Sequence, residues 1–268
     1  MKKTIALSAT CLMLAGAAFA GKVTDKSHQK VPDSSKEIPF STDTMSYVEG
    51  NVLATFYHEF GHALIDLMHL PVFAREEDAA DSFALVLTEI LHDPLRAEQI
   101  TWASADQYVQ LARKSKGVEL DFSDTHSPDM MRYYTLICLY YGGDVNARQT
   151  FAEDNALPED RADFCEDERA MVESAWTRVL RRIERDKSGD DWIVVRNVDE
   201  SADAYVTAAQ QVIRNSIAVL NETYDPGFTV NVDLVDCDED NAFYDSNDQT
   251  IIMCNEYVPP LTRAFPPL

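Results

Sequence analysis

The sequence predicts an α+β fold, a mainly helical body followed by a small β-sheet or hairpin from the C-terminal third. Three observations carry this expectation. Residues 45–69 form an apolar, helix-spaced run around His58-Glu59-Phe60-Gly61-His62. Residues 158–186 place Phe164, Met171, Val172, Trp176, Val179, Leu180 and Ile183 at helical spacing, which predicts one long helix with one buried face. From Lys187 the composition changes, and Phe228–Val235 alternates as a half-buried strand does.

The elements follow in order. Lys2 and Lys3 precede an apolar stretch from Ile5 to Ala18, and Ala18-Phe19-Ala20 is a small-x-small cleavage site before Gly21. Residues 1–20 therefore read as a secretory signal peptide, removed to leave an exported protein, periplasmic or secreted. The stretch is too short for a membrane span. Residues 21–44 are polar, with Pro32 and Pro39, and read as a flexible leader. Residues 45–268 read as one domain, helical over 45–186 and β-rich over 187–258; a separate C-terminal domain is the alternative. Helices are expected at 45–69, at 76–92 (ended by Asp93-Pro94), at 104–115, at 129–141 (stopped by Gly142-Gly143) and at 158–186. A strand at 192–195, a helix at 201–221, a turn at Asp225-Pro226-Gly227 and strands at 228–235, 241–245 and 250–254 follow. The proline-rich tail from Pro259 to Pro267 reads as extended.

Composition narrows the partners. The formal net charge is −23 over 268 residues, and loss of Lys2 and Lys3 with the signal makes it more negative. Such a surface repels nucleic acid and anionic membranes, so neither is expected as a partner. Four cysteines remain after cleavage: Cys138, Cys165, Cys237 and Cys254. In an exported chain an even count reads as disulfides. Three pairings exist, and the local one, Cys138–Cys165 with Cys237–Cys254, is favoured. No CxxC spacing supports a cysteine metal site.

His58-Glu59-Phe60-Gly61-His62 is the most informative segment. Histidines four apart share a helical face, so both rings reach one metal ion, and the intervening glutamate touches a water on that metal. This is the arrangement of a zinc peptidase, with Glu59 as general base. A third protein ligand is needed. A histidine six residues past His62 would supply it in one motif, but Met68 stands there, with Ile65 in place of the midway glycine. The other source is acidic. Arg75-Glu76-Glu77-Asp78-Ala79-Ala80-Asp81 contains E-x-x-A-D, with Glu77 and Asp81 on one helical face. Glu77 is the expected ligand and Glu76 its competitor. Asp81 would accept a hydrogen bond from a ligand histidine and fix its tautomer. The small Ala80 lets two helices pack closely. His69, ahead of Leu70-Pro71, reads as a helix-end or loop residue.

These residues, HEFGH followed by EDAAD, resemble the gluzincins, zinc peptidases with an HExxH helix and a glutamate from a later helix. The longer string, Glu49-Gly50-Asn51, Tyr57 with HEFGHALIDL, Leu70-Pro71-Val72 and REEDAAD, resembles a narrower family of bacterial secreted metallopeptidases of unknown function. The resemblance is strong over 45–92. It implies a zincin-like core, one zinc ion and a peptide or protein substrate. Some membrane-associated gluzincins also carry Thr-His-Pro with an arginine six residues after the histidine. Thr125, His126 and Arg132 keep that spacing, while Ser127 replaces the proline. By resemblance, His126 would bind substrate or the developing oxyanion and Arg132 would order the site. Related members carry an Asn-Ala-Phe-Tyr-Asp and Cys-x-Glu hairpin ahead of the zinc helix. Here the like segment lies after it, at 241–256, which implies a rearranged order with the β-rich portion over the cleft.

The reading is thus an exported zinc-dependent peptidase. The alternative is a catalytically silent, zinc-stabilised binding or scaffold protein on a peptidase fold. No feature of the sequence sets the cleavage preference or the oligomeric state.

Overall fold

The structure is a computed structural model that describes residues 43–121, 123–186 and 189–265. The expected signal peptide and all but the end of the leader lie outside the described residues.

Helix α1, Thr44–Leu67, starts where the Asp43 carboxylate accepts from the Ser46 N–H at 2.7 Å. It is apolar almost all round, with Val48, Val52, Phe56, Phe60 and Leu64 buried. Such a helix must be covered on every side. It contacts α2 (Glu76–Leu91), α3 (Pro94–Lys114), α8 (Ala204–Thr223), α9 (Val258–Ala264) and two strands. Gly61 permits the close approach of α2: a Cβ there would lie 3.0 Å from Phe83 Cδ1 and 3.2 Å from Ala80 Cα. The sequence expectation for Ala80 is met at this crossing, which sets the HExxH face against the acidic turn of α2.

Helix α4 (Asp129–Gly142) packs on α3, and α7 (Cys165–Leu180) packs on α4 and α2. Short helices α5 (Gln149–Asp154) and α6 (Glu159–Ala162) fill the connection. Glu89 of α2 takes Arg148 and the buried Arg169, tying these elements together. The fold class is α+β, as expected. Strands β1 (Ile193–Val198), β2 (Val230–Val235), β3 (Ala242–Asp245) and β4 (Thr250–Cys254) form one mixed sheet in the order β1-β2-β4-β3. β1 and β2 are parallel through the α8 crossover, β2 and β4 are parallel, and β3 runs antiparallel to β4 at the edge. This edge strand lies along α1, where the Tyr244 hydroxyl donates to Asp66 Oδ2 at 2.9 Å.

Cys138 bonds Cys165 and Cys237 bonds Cys254, with S–S distances of 2.01 and 2.07 Å. The first bridge staples α4 to α7. The second ties the end of β4 to the loop that leads into β3.

Several element expectations need correction. The single helix over 158–186 is two, with a break at Asp163 and Phe164, and α7 ends at Leu180. Phe164 and Met171 are exposed rather than on the buried face. The helix placed at 104–115 begins at Pro94. Asp93 both follows α2 and caps α3, accepting from the Leu95 and Arg96 N–H groups, and proline is favoured in a first helical turn. The tail is not extended over 258–264 but helical, again with proline in the first turn.

Candidate metal centre

α1 and α2 meet at the HExxH face. His58 Nε2 lies 3.1 Å from His62 Nε2, and Glu77 Oε2 lies 3.1 and 3.3 Å from them. The other ring nitrogens are tied outward. His58 Nδ1 donates to Asp81 Oδ1 at 2.8 Å, and His62 Nδ1 donates to Glu76 Oε1 at 2.8 Å. A neutral imidazole that donates from Nδ1 presents a lone pair at Nε2. Two such lone pairs and a carboxylate oxygen then converge on one point. Three acceptors this close repel one another unless a cation or a proton sits between them. The donor set, two imidazoles and one carboxylate, suits a divalent metal such as zinc. Among the described residues these three form the one group of histidine, cysteine or acidic side chains close enough to hold a metal ion.

Protonation follows from the same contacts. Burial alone would lower the His58 pKa, but hydrogen bonds to Asp81 and Glu77 outweigh it and raise it to about 10. His62 is likewise raised, its burial outweighed chiefly by Glu77. Glu77, though half-buried, is held well below the usual carboxylate range by His126, His58 and His62. The cluster without metal is thus a strongly bonded acid–base knot, and a metal ion would replace the protons in it.

Glu59 is 7 % exposed and points its helix face into the same cleft. Burial raises its pKa, opposed by the two histidines. That is the direction a general base needs to take up a proton near neutral pH.

Asp81 carries the outer support. It accepts from His58, from Arg132 through a bidentate pair at 2.7 and 2.7 Å, and from the Tyr108 hydroxyl at 3.2 Å. Its burial is more than offset by Arg132 and His58, so its pKa is depressed. The Arg132 guanidinium also lies over the Tyr108 ring, 4.4 Å from its centroid. His126 is half-exposed, with Nε2 3.1 Å from Glu77 Oε2. The structure therefore brings together His58, Glu59, His62, Glu77, Asp81, His126 and Arg132. Glu76 meets His62 from outside the convergent point. His69 is in the left-handed region at φ 51 just past α1 and takes no part. Tyr133 is core, donating to the Asn155 carbonyl.

Sequence reasoning missed several contributors. Arg75 donates to the carbonyls of Asp124, Thr125 and His126 and so fastens the His126 loop to α2. Ser127, where the resembling pattern has proline, donates to Asp78 Oδ2 at 3.1 Å. Tyr257 is bonded to Thr55 and Gln107 near Glu59. No local pattern marks these residues, because their partners lie 49 to 202 positions away. The cleft is closed on the far side by Asn241, Ala242, Phe243 and Tyr244 of the edge strand and the residue before it.

No curated protein and no solved structure matches the chain. The sequence does match one family model over residues 17–180, a span that includes both α1 and α2. The chain belongs to that family, DUF4344, described as "Putative metallopeptidase".

Proposed function

We propose that the protein is an exported zinc-dependent peptidase, its domain spanning 45–268 behind a signal peptide at 1–20. The observation that carries the reading is the convergence of His58 Nε2, His62 Nε2 and Glu77 Oε2 beside a buried Glu59. Membership of a metallopeptidase family supports a metal and a peptide or protein substrate. Two disulfides support an oxidising compartment. Among the described residues no helix is long and apolar enough to cross a membrane.

His58, His62 and Glu77 would hold the ion. Zinc would supply Lewis-acid activation of a water and of the scissile carbonyl. Glu59 accepts a proton from the attacking water and returns one to the leaving amine. Asp81 holds His58 in the tautomer that leaves Nε2 free, and Arg132 holds Asp81. His126, on the cleft wall, would donate a hydrogen bond to charge developing on the carbonyl oxygen. β3, the edge strand of the sheet, lines the cleft and would pair with an extended peptide.

The test is Glu59→Gln. It removes the base without touching a ligand. Zinc content should remain at the wild-type level, while turnover of a peptide library read by mass spectrometry falls by about 10²–10⁴-fold. Cleavage by the variant at the wild-type rate would overturn this mechanism. Zinc binding with no turnover by either protein would favour the silent binding protein instead.

A further inference from the structure

A cavity of about 250 Å³ opens beneath Glu59 between α1, α2, α3 and α4. Its mouth is shared with the metal cleft, since His58, Glu59, His126, Asn241 and Ala242 line both. Its depth differs in character. Leu85, Ile100, Leu111, Leu136 and Leu139 form the walls.

Several polar groups of the lining are already bonded within the protein. Ser82 and Thr101 donate to the backbone carbonyls of Ala79 and Ala97. Tyr257 closes a chain with Thr55 and Gln107. A charged side chain entering this space would lose its hydration, and the acidic lining residues Asp78 and Asp81 already accept from Ser127 and Arg132. An apolar one would exchange water for aliphatic contacts. An apolar cavity of roughly 150 Å³ holds a benzene ring, so there is room for a full leucine, methionine or phenylalanine side chain.

We infer that this cavity is the side-chain pocket of the enzyme, and that it selects an apolar residue of leucine to phenylalanine size next to the bond cleaved. The inference rests on the peptidase reading above. The cavity opens at the proposed base, and leucine and isoleucine side chains from α2, α3 and α4 make up much of its lining.

Two variants alter the pocket without touching the metal cluster. Thr135→Phe fills it from α4 and Leu111→Ala enlarges it from α3. In a peptide-library digest, wild-type cuts should be enriched about tenfold or more for leucine, methionine or phenylalanine at one flanking position over glycine or aspartate. Thr135→Phe should shift that position to alanine and glycine, and Leu111→Ala should admit tryptophan. Cleavage with no flanking preference, or a preference untouched by Thr135→Phe, overturns the inference while leaving the peptidase reading intact. If wild type cleaves nothing, the peptidase reading fails, and the pocket is judged by binding alone. Ligand-observed NMR with N-acetyl-leucine amide and N-acetyl-glycine amide should show binding of the first only, abolished by Thr135→Phe. Equal or absent binding of the two amides overturns the pocket.

Discussion

At the scale of single residues, the site depends on which atom each acidic group presents. Glu77 and Glu76 are neighbours on one turn, yet they meet opposite sides of the His62 ring. Glu77→Gln should lower zinc affinity far more than Glu76→Gln, which removes only an outer partner and costs about 10–100-fold. Competition titration with a chromogenic chelator measures both; equal losses would mean the assignment is reversed. Asp81 makes a second prediction. Its pKa is depressed in the folded protein, so its pairing contributes stability above the usual carboxylate range, and that contribution is lost as pH falls towards the folded value. In metal-free protein, the stability gap between wild type and Asp81→Asn should be widest at neutral pH and narrow below about pH 4. Denaturant titrations across pH 3–7 would show it; a gap that is constant with pH would contradict the pairing. The HExxH pair and E-x-x-A-D were legible in the sequence because a helix places residues four apart on one face. Arg75, Ser127 and Tyr257 were not, because each acts through a partner set only by tertiary packing.

At the scale of elements, the candidate metal centre is a helix crossing. α1 supplies the histidines and the proposed base Glu59, α2 supplies Glu77 and Asp81, and Gly61 lets them touch. Gly61→Ala gains about 1 kcal/mol of helix propensity. Against this, overpacking against Phe83 and the Ala80 backbone costs about 1–3 kcal/mol. The net effect on stability is a modest loss, but α2 carries Glu77 away from the histidines as it yields, so zinc affinity should fall by about tenfold or more. Thermal melts with and without zinc would separate the two effects; an unchanged zinc-induced shift would show that the crossing has slack. Element boundaries show where local pattern fails. Asp93-Pro94 reads as a stop, yet the same two residues are a cap and a first-turn proline for α3. Pro259-Pro260 reads as extended, but it sits in the first turn of α9, where a missing N–H is no loss. The break between α6 and α7 has no proline or glycine to announce it.

At the scale of the whole molecule, the half of the cleft that carries His58, Glu59, His62 and Glu77 comes from the helical body and the opposite wall from the last strands. α1 joins them, since it packs on α2 and α3 as well as on α8, β3 and β4. The Cys237–Cys254 bridge holds the loop before β3, and with it Asn241 and Ala242, against the site. A metal that links α1 to α2 therefore stabilises the packing around the central helix. Chelation should lower the melting temperature by about 5–15 °C at zinc concentrations some 100 to 1,000 times Kd. Differential scanning calorimetry with and without chelator measures this, and an unchanged melting temperature would mean no ion is bound there. The α+β class and the placement of the strands after the HExxH helix were readable from the change of pattern at residue 187. That the sheet lends an edge strand to the cleft required the register of β3 on β4.

The central claim is that His58, His62 and Glu77 converge on one zinc ion. Zinc K-edge X-ray absorption on the purified, zinc-loaded protein tests it most directly. The expected result is one zinc per chain with two imidazole nitrogens and oxygen ligands at about 2.0–2.2 Å, and one imidazole fewer in His62→Ala. Substoichiometric zinc, an oxygen-only shell, or a spectrum unchanged by His62→Ala would contradict it.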